Sequence, residues 1–324
     1  MDSLLWMGGR LATNLEEISH DLTSLTKPGF WAVVGSFENE WTLARFATVI
    51  EAELPSTQKW IPLSAQSWKS SFTIDSYCDY VSRIRTHIAD GDVYQVNACR
   101  ILSAPNHSND SLLALARKIV KENPAPFASF LKLPSLEIAS ASPERFISFD
   151  GEKVMSSPIK GTSPTTDFLE KDRAENLMIV DLIRNDMSST ARIGSVSTPR
   201  LLATEEHPGL FHLVSDVRSE IRDGCSIIDV LRSMMPPGSV SGAPKSSALR
   251  IIKENEGARG PYCGTIGWVE GNRAELSVGI RTFWQTESEL KFGTGAGITW
   301  GSDPMQEWEE TELKARKLIG LASS

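Results

Sequence analysis

The sequence predicts an α+β fold in which large, mainly antiparallel sheets are covered by helices. Runs of β-rich segments alternate with runs of helical segments, without the strict βαβ order that parallel sheets require. Pro and Gly occur singly at predicted turns along the chain and do not cluster into a linker, and no internal repeat is visible. We therefore expect one continuous domain, of which residues 1–70 are the least patterned part.

The individual elements are predicted from short local patterns. In the N-terminal part we expect a strand at residues 30–34 and a helix near residues 41–52. Apolar side chains recur at four-residue spacing between residues 76 and 90, and Gly91 follows as a C-terminal stop, which is typical of an amphipathic helix. Further strands are predicted at residues 93–102, 137–141, 145–149, 264–269, 274–280 and 290–294, and further helices at residues 171–185, 227–233, 246–255 and 305–321.

Composition narrows the class of protein. With 324 residues and 40% hydrophobic content, the chain can bury a substantial core. Its four cysteines lie far apart in sequence, so we expect buried, reduced thiols and neither a zinc site nor a disulfide framework. A formal net charge of −8 without a basic stripe argues against nucleic-acid binding.

The amino terminus lacks the pattern of a signal peptide. Asp2 replaces the basic region, and Arg10 interrupts the apolar residues that begin at Leu4. No stretch of the chain approaches the roughly 20 apolar residues needed to cross a bilayer. We therefore expect no membrane contact and a cytoplasmic location.

Two predicted helices each carry a pair of carboxylates three residues apart. Asp172 and Glu175 share one helix face, and Glu307 and Glu310 share another. Such pairs are either ordinary surface acids screened by solvent or oxygen ligands for a hard cation such as Mg²⁺. Lys314 lies one turn beyond Glu310, where an i,i+4 ion pair is favoured.

Two segments rich in small residues are candidates for close approach of the backbone to a ligand. Residues 236–245 form a long turn before a helix, and their N–H groups either bind an anion or only turn the chain. Residues 293–298, Gly-Thr-Gly-Ala-Gly-Ile, either admit a ligand or allow a bulge. The patterns alone leave both choices open.

Nine motifs occur together, in an order that resembles one known family. The motifs are Gly91-Asp92-Val93-Tyr94-Gln95-Val96-Asn97, Ser142-Pro143-Glu144-Arg145-Phe146, Pro158-Ile159-Lys160-Gly161-Thr162, the segment 175–186, the turn 239–245, Gly260-Pro261-Tyr262-Cys263-Gly264, Ile280-Arg281-Thr282, Gly295-Ala296-Gly297-Ile298 and Glu310-Thr311. Over roughly residues 75–320 the chain resembles the chorismate-utilising enzymes, which include anthranilate, aminodeoxychorismate, isochorismate and salicylate synthases. The resemblance implies two large antiparallel sheets packed together and flanked by helices, with the active site in a deep cleft. It divides the chain into a shortened N-terminal part of the same fold, residues 1–70, and a chorismate-binding catalytic domain, residues 71–324.

The resemblance also implies a Mg²⁺ site. Glu175 and Glu310 match the carboxylates that ligate the ion, whereas Asp172 and Glu307 match an outer pair that acts through water. In this family the metal holds the ring carboxylate of chorismate. It would reduce the repulsion between the acidic residues and a dianionic substrate.

Other motif positions are implied to hold the substrate. The groups that bind the enolpyruvyl side chain and its carboxylate are matched by Tyr262, Arg281, the backbone around Gly297, and Lys314. Arginine suits this task because its planar guanidinium can bond a carboxylate twice. His212 matches the family histidine near the ring C4 substituent. The substrate-binding set is completed by the motif residues Gln95, Thr162, Ser239 and Gly295.

Two positions indicate a branch of the family. Members that add water carry a lysine base where this chain has Gln95, which cannot take a proton, so ammonia is the implied nucleophile. Lys160 is typical of the aminodeoxychorismate synthases, whereas anthranilate synthases typically have alanine there. The implied mechanism is attack of Lys160 on C2 of chorismate while Glu144, as general acid, protonates the departing C4 hydroxyl. Ammonia then adds at C4 and expels the lysine, giving 4-amino-4-deoxychorismate for the synthesis of 4-aminobenzoate and folate.

The implied partner is a glutamine amidotransferase in a separate chain, because none of the four cysteines stands in a Gly-x-Cys-x-Gly turn. Alternatives stay open at this point. The chain could be an anthranilate synthase component, an aminodeoxyisochorismate-forming relative or a catalytically silent regulatory relative. Lys160 could be a surface lysine, Glu144 could form a fold-supporting ion pair with Arg145 or another base, and His212 could be structural.

Overall fold

The structure is a computed structural model that describes residues 2–106, 111–163, 165–207, 210–286 and 288–324, without the side chains of Thr162, His207 and Leu210. Within these ranges the chain forms six α-helices and eighteen strands. The helices are α1 (Ile74–Ala89), α2 (Leu113–Glu122), α3 (Glu170–Ser188), α4 (Ile227–Met234), α5 (Lys245–Asn255) and α6 (Pro304–Ala322). The strands are β1 (Leu4–Met7), β2 (Arg10–Ser19), β3 (Phe30–Gly35), β4 (Trp41–Glu51), β5 (Lys69–Ser70), β6 (Gln95–Pro105), β7 (Phe127–Leu133), β8 (Leu136–Ser142), β9 (Arg145–Phe149), β10 (Lys153–Ser157), β11 (Ile159–Ser163), β12 (Ser197–His207), β13 (Leu210–Glu220), β14 (Gly242–Ala243), β15 (Thr265–Glu270), β16 (Arg273–Val278), β17 (Thr282–Gln285) and β18 (Glu289–Ile298).

Hydrogen bonds join these strands into one long antiparallel order. Read from the paired strands, the order is β12-β13-β10-β9-β16-β15-β3-β4-β2-β1-β7-β8-β17-β18-β6. The short β11 lies beside β13 at one end, and β14 and β5 lie beside β6 at the other. The predicted α+β class, a large antiparallel sheet system with flanking helices, is confirmed.

The two ends of this strand order meet in space. Lys160 stands in β11 at one end, whereas Gln95 in β6 and Gly297 in β18 stand at the other. The Lys160 Nζ lies 3.5 Å from the point that a Cβ on Gly297 would occupy. The order of strands therefore folds back on itself, as in a sandwich, and the closure places motif residues from distant segments side by side.

The apolar side chains form two buried clusters. One contains the buried faces of α1, α3, α4 and α5 together with strands such as β3 and β15. The other lies under α2 and α6, where the rings of Phe283 and Phe292 are 4.7 Å apart. The apolar faces of the helices are thus covered by the sheet and, in part, by neighbouring helices, as where Tyr77 of α1 meets Trp308 of α6.

One sequence-based prediction is wrong. Residues 41–52 were expected to be helical, but they form β4, a central strand paired with both β2 and β3. Trp41, Leu43 and Phe46 are buried there, and Thr, Val and Ile make up much of the remainder. Aromatic and β-branched side chains pack well between two neighbouring strands, and that tertiary setting overrides a weak helical pattern.

The cysteines are distributed differently from the prediction as well. All four are free, but only Cys99 and Cys263 are buried, whereas Cys78 and Cys225 are partly exposed. Although 164 residues separate them in sequence, the Sγ atoms of Cys99 and Cys263 lie 3.9 Å apart. None of the helices in the described ranges is long and apolar enough to cross a membrane.

Candidate active site

Lys160 is the centre of the site that the strand closure creates. It points from β11 towards Gln95 and Gly297 of the opposite end. Burial lowers the pKa of the Lys160 amine, and Lys314 acts in the same direction, while Glu175 and Glu144 oppose the shift. The alternative of an ordinary surface lysine does not fit these surroundings. A buried amine with a lowered pKa is neutral more often and is therefore a better nucleophile.

Glu144 lies in the short link between β8 and β9 and is only 3% exposed. Burial raises the pKa of its carboxyl to about 7, although the Ser239 hydroxyl, the Lys160 charge and the Ile159 N–H all favour the ionised form. Its neighbour Arg145 is paired with Glu275 at 2.8 Å, so the alternative of a Glu144–Arg145 ion pair is wrong. A carboxyl that titrates near neutral pH can hold a proton for transfer, as a general acid must.

Gln95 presents a buried amide with no partner. The residue is 1% exposed, and neither its Oε1 nor its Nε2 makes a hydrogen bond among the described residues. A Cβ on Gly297 would stand 2.4 Å from the Nε2, so only glycine leaves room for the amide there. Behind it, the backbone of Gly242, with φ of 145°, lies directly against the Gln95 carbonyl. A buried amide without partners is costly unless a ligand completes its hydrogen bonds.

The four predicted carboxylates come from α3 and α6, which meet beside Lys160. Burial raises the pKa of Glu175 and of Glu307, whereas the ion pair with Lys314 lowers the pKa of Glu310. The Asp172 carboxylate accepts a hydrogen bond from the Leu169 N–H at 3.1 Å, at the start of α3. The Asp172 Cβ also lies 3.0 Å from the point that a Cβ on Gly161, the neighbour of Lys160, would occupy.

These carboxylates fit a hard cation in their chemistry. The Oε2 of Glu307 is buried without a hydrogen-bond partner, and Glu310 is among the charges that raise the pKa of both Glu175 and Glu307. The part of the chain that is described holds no group of three His, Cys, Asp or Glu side chains close enough to bind a metal alone. Lys171 lies between two of the acids, 3.8 Å from Glu175 and 3.7 Å from Glu307. Four carboxylates stand against the three lysines Lys160, Lys171 and Lys314, which leaves one negative charge for a cation to offset.

Arg281 is a half-buried cation in a strained conformation. Its φ is 52°, a left-handed value that side chains other than glycine adopt at a cost. Burial lowers the pKa of its guanidinium, and no carboxylate pairs with it in the described ranges. Its carbonyl is fixed by the N–H of Ala141 at 3.0 Å. A held, unpaired guanidinium is suited to an anionic ligand.

Lys314 connects α6 to the glycine-rich end of β18. Its Nζ donates to the Gly295 carbonyl at 3.0 Å and forms the expected i,i+4 ion pair with Glu310 at 2.6 Å. A Cβ on Gly295 would stand 2.6 Å from the Cys99 Sγ, so this glycine serves close packing of β18 on β6. Residues 293–298 are therefore regular strand, and the predicted strand at 290–294 extends to Ile298.

The positions of the other predicted site residues are defined by fewer contacts. Tyr262 is buried, with its hydroxyl 3.8 Å from the Cys99 Sγ and its ring against Gly293. Ser239 bonds to Glu144, as described above. His212 is 4% exposed in β13, opposite Thr162 of β11, and the side chain of Thr162 lies outside the described part. The structure brings Lys160 and Glu144 close enough for their charges to interact, places Ser239 as a hydrogen-bond partner of Glu144, and packs the Tyr262 ring against β18.

Sequence reasoning missed Lys171, which lies between Glu175 and Glu307. Its four-residue distance from Glu175 was a visible signal, because an i,i+4 pair of this kind is common on helices. The contact with Glu307 was not predictable, since it joins two helices more than a hundred residues apart. Cavities gave no guide to the site either: one of about 790 Å³, between the first strands and the turn at residues 134–136, contains none of the predicted site residues.

Comparison with known proteins agrees with the fold and the motifs. The family described as chorismate binding enzyme matches residues 37–320, so this chain belongs to the chorismate binding enzymes.

The curated relatives include two kinds of enzyme. The chain is 37% identical over 78% of its length to "Anthranilate synthase component 1 1" of Haloarcula marismortui, and 36% identical over 83% to "Aminodeoxychorismate synthase component 1" of Escherichia coli. These matches cover 54% and 62% of the relatives, so the chain spans between half and two thirds of their length. The solved structure of MenF, the menaquinone-specific isochorismate synthase of Escherichia coli, matches with a TM-score of 0.84 over 99% of this chain and 88% of that one, at 15% identity. That likeness shows the fold alone.

Proposed function

We propose that this chain is the chorismate-aminating component of an aminodeoxychorismate synthase. The observation that carries the proposal is a half-buried Lys160 whose amine pKa is lowered, within charge interaction of a Glu144 carboxyl whose pKa is raised to about 7. Both groups are shifted towards their neutral forms by burial, which is what a nucleophilic amine and a proton-donating acid need. The relative from Escherichia coli is consistent with this assignment.

The residues have distinct parts in the proposed reaction. The neutral Lys160 amine attacks C2 of chorismate and forms a C–N bond, while Glu144 protonates the C4 hydroxyl, which leaves as water. Ammonia then attacks C4, the C2–N bond breaks, and the electrons return to Lys160. Ser239 keeps the Glu144 carboxyl in place through its hydrogen bond. The product is 4-amino-4-deoxychorismate, in which the enolpyruvyl group is retained.

Gln95 supports ammonia rather than water as the nucleophile. Its buried amide offers one acceptor and two donors with no partner in the described protein, and it cannot act as a base towards water. Ammonia is nucleophilic without losing a proton first. An amide that holds and orients it next to Lys160 would therefore be sufficient.

The charged residues around this centre have a substrate-binding part in the proposal. Arg281, which has no carboxylate partner in the described ranges, is suited to the enolpyruvyl carboxylate, and Lys314 and the Gly297 backbone are proposed as further groups that hold this side chain. Glu175 and Glu310 would hold Mg²⁺, with Asp172 and Glu307 acting through water. When bound, Mg²⁺ would neutralise part of this acidic charge and hold the ring carboxylate of chorismate.

The partner and pathway also belong to the proposal. Component 1 in the name of the Escherichia coli relative is consistent with a second subunit. We propose that a separate glutamine amidotransferase supplies the ammonia, and that the product feeds 4-aminobenzoate and folate synthesis in the cytoplasm.

A direct assay tests the proposal. The purified chain is incubated with chorismate, MgCl₂ and an ammonium salt at alkaline pH, with and without aminodeoxychorismate lyase, and the products are separated by chromatography. We expect 4-aminobenzoate only when the lyase is added. Anthranilate without lyase would instead establish the activity named for the Haloarcula marismortui relative. Unchanged chorismate, with Mg²⁺ and ammonia both present, would favour a silent relative.

A further inference from the structure

Cys99 and Cys263 form a dithiol pair that neither the sequence prediction nor the proposed reaction uses. Cys99 lies in β6, and Cys263 lies in the turn before β15. Their Sγ atoms are 3.9 Å apart, in direct contact, and both side chains are buried. The S–S bond length is about 2.05 Å, so closure requires a combined movement of about 2 Å.

The surroundings of the pair are polar for a core position. The Asn97 side-chain amide donates to the Cys99 Sγ at 3.0 Å, and the Tyr262 hydroxyl lies 3.8 Å from the same atom. The fully buried Arg259 lies close by, and its Nη2 donates to the Asn97 carbonyl at 2.7 Å. The Arg259 charge favours negative charge on sulfur, which is the reactive form of a thiol, whereas its ion-pair partner Glu256, 2.7 Å away, opposes it.

Proton sharing between the two thiols also favours a thiolate. Burial by itself would raise the pKa of Cys263, but the hydrogen bond from Cys99 and the Arg259 charge together lower it. Burial raises the pKa of Cys99, which therefore keeps its proton and donates it. In this arrangement one sulfur is activated while its neighbour stands in contact, as thiol–disulfide chemistry requires.

A cavity lies beside one member of the pair. This cavity of about 370 Å³ is lined by Cys99 and Arg259, with Phe72 and Trp284 on its walls, whereas Cys263 is not among its lining residues. It is large enough for a molecule of the size of hydrogen peroxide. Cys99 is 1% exposed and Cys263 0% exposed, so peroxide reaches the sulfurs from this cavity only when the chain opens locally.

We propose that Cys99 and Cys263 are a modification site, at which hydrogen peroxide oxidises the two thiols to a reversible disulfide. One sulfur attacks the O–O bond of the peroxide and becomes a sulfenic acid, with release of one water molecule. The other sulfur attacks that sulfenic sulfur, the S–S bond forms, and a second water leaves. The two thiols lose two electrons and two protons in total, and one peroxide molecule is reduced to two waters.

Oxidation would change the contacts that tie β6 and β18 together. The Cys99 Sγ occupies the space that the missing side chain of Gly295 leaves, and it contacts both Asn97 and Tyr262. When the sulfur moves towards Cys263, these contacts are lost at strands that also carry Gln95 and Gly297. We therefore expect the disulfide form to be less active in amination, an effect that rests on the proposed function.

The test is mass spectrometry of the native protein, which needs no activity. The chain is treated with hydrogen peroxide, free thiols are blocked with N-ethylmaleimide, and tryptic peptides are analysed. We expect a Cys99–Cys263 cross-linked peptide and a mass loss of about 2 Da, reversed by dithiothreitol. Cys78 and Cys225, which are partly exposed and distant from each other in sequence, remain as blocked thiols and serve as internal controls.

Variants make the result specific. The Cys78→Ser/Cys225→Ser variant should still form the cross-link, whereas Cys263→Ser should leave Cys99 as a blocked thiol or a sulfenic acid. Three results would overturn the proposal: no Cys99–Cys263 peptide although Cys78 or Cys225 is oxidised, all four thiols unchanged, or a cross-link that appears only in urea. Because the readout is a mass, failure here is distinguishable from failure of the amination assay.

Discussion

At the residue scale, Lys160 and Glu144 show how one environment produces two opposite shifts. Burial disfavours any charged form, so it lowers the pKa of the Lys160 amine and raises that of the Glu144 carboxyl. The two groups stand close enough for each charge to affect the other, but this attraction does not cancel the effect of burial. The pair is therefore held nearer to a neutral amine and a neutral acid than an exposed lysine and glutamate would be.

Replacement of Lys160 tests the nucleophile. We expect Lys160→Ala to lower the ammonia-dependent formation of 4-amino-4-deoxychorismate by about 100-fold or more, because the covalent step has no other amine in position. The initial rate in the lyase-coupled assay is the measurement. Lys153→Ala, in the neighbouring β10, is the matched control and should retain its rate. An unchanged rate in the Lys160 variant would remove the lysine from the mechanism.

Glu144 should make stability depend on pH. Its pKa is about 7 in the folded chain against an ordinary 4.5, so its contribution to the free energy of unfolding is fully present below pH 4.5 and is lost as pH rises through about 7. Glu144→Gln removes this loss. We subtract the Tm of the original chain from the Tm of the variant at each pH. We expect this difference to be a few degrees larger at pH 8 than at pH 5. The exposed Glu152→Gln variant should show no such difference, and a parallel pH dependence in both variants would contradict the burial argument.

At the element scale, α3 and the turn at residues 236–245 are joined by an ion pair. Lys245 Nζ lies 2.5 Å from Asp186 Oδ2, and both side chains are largely buried. The same Lys245 amine donates to the Met234 carbonyl at 3.0 Å. The turn carries Ser239, the hydrogen-bond partner of Glu144, so this link connects the helix of Glu175 to the position of the acid.

Breaking the ion pair should therefore affect chemistry more than binding. We expect Lys245→Met to lower kcat with a smaller change in KM, and to raise the pH at which activity falls, because Ser239 would hold Glu144 less firmly. The free energy of unfolding should fall by less than the about 3–5 kcal/mol found for fully buried pairs. Lys253→Met, on the exposed side of α5, is the control. Equal pH profiles for the Lys245 and Lys253 variants would mean that the Lys245–Asp186 ion pair does not influence Glu144.

Elements with strong local patterns were predictable, and those defined by distant contacts were not. α1 and α3–α6 and the strands β3, β6, β8, β9, β15, β16 and β18 were predicted, with boundaries that differ by a few residues. The elements β1, β2, β5, β7, β10–β14, β17 and α2 were missed, and β4 was wrongly predicted as helix. Many of these strands are short or paired on both sides, and pairing with other strands rather than a local pattern determines their state.

The site also has a part that local motifs predict and a part that depends on distant contacts. The motifs predicted Lys160, Glu144, Gln95 and the four acidic residues as site residues, but motifs do not show distances. The roles of Lys171 between two acids, of Gly297 as the space for Gln95, and of Cys99 beside Cys263 depend on contacts between segments far apart in sequence. Such contacts follow from how the sheets close, which local patterns do not determine.

At the scale of the whole molecule, the acidic site is assembled from α3, in the middle of the chain, and α6, which begins more than a hundred residues later. We expect chorismate to raise the Tm more in the presence of Mg²⁺ than in its absence, because ligands that bind only the folded chain stabilise it. Glu310→Gln should remove most of this metal-dependent gain, since it deletes one carboxylate charge. Thermal melts with MgCl₂ or EDTA measure the effect. The exposed neighbour Glu309→Gln should behave as the original chain, and an unaltered Mg²⁺ response in the Glu310 variant would exclude that ligand.

The pairing of β6 with β18 has a consequence for synthesis of the chain. Ten register positions join the two strands, although about two hundred residues lie between them. While the nascent chain emerges from the ribosome, β6 exposes a long edge for most of the translation time, and such edges invite pairing with other chains. Synthesis of β18 is what closes that edge, so a chain that stops before β18 would leave β6 unpaired along most of its length and would be prone to aggregate.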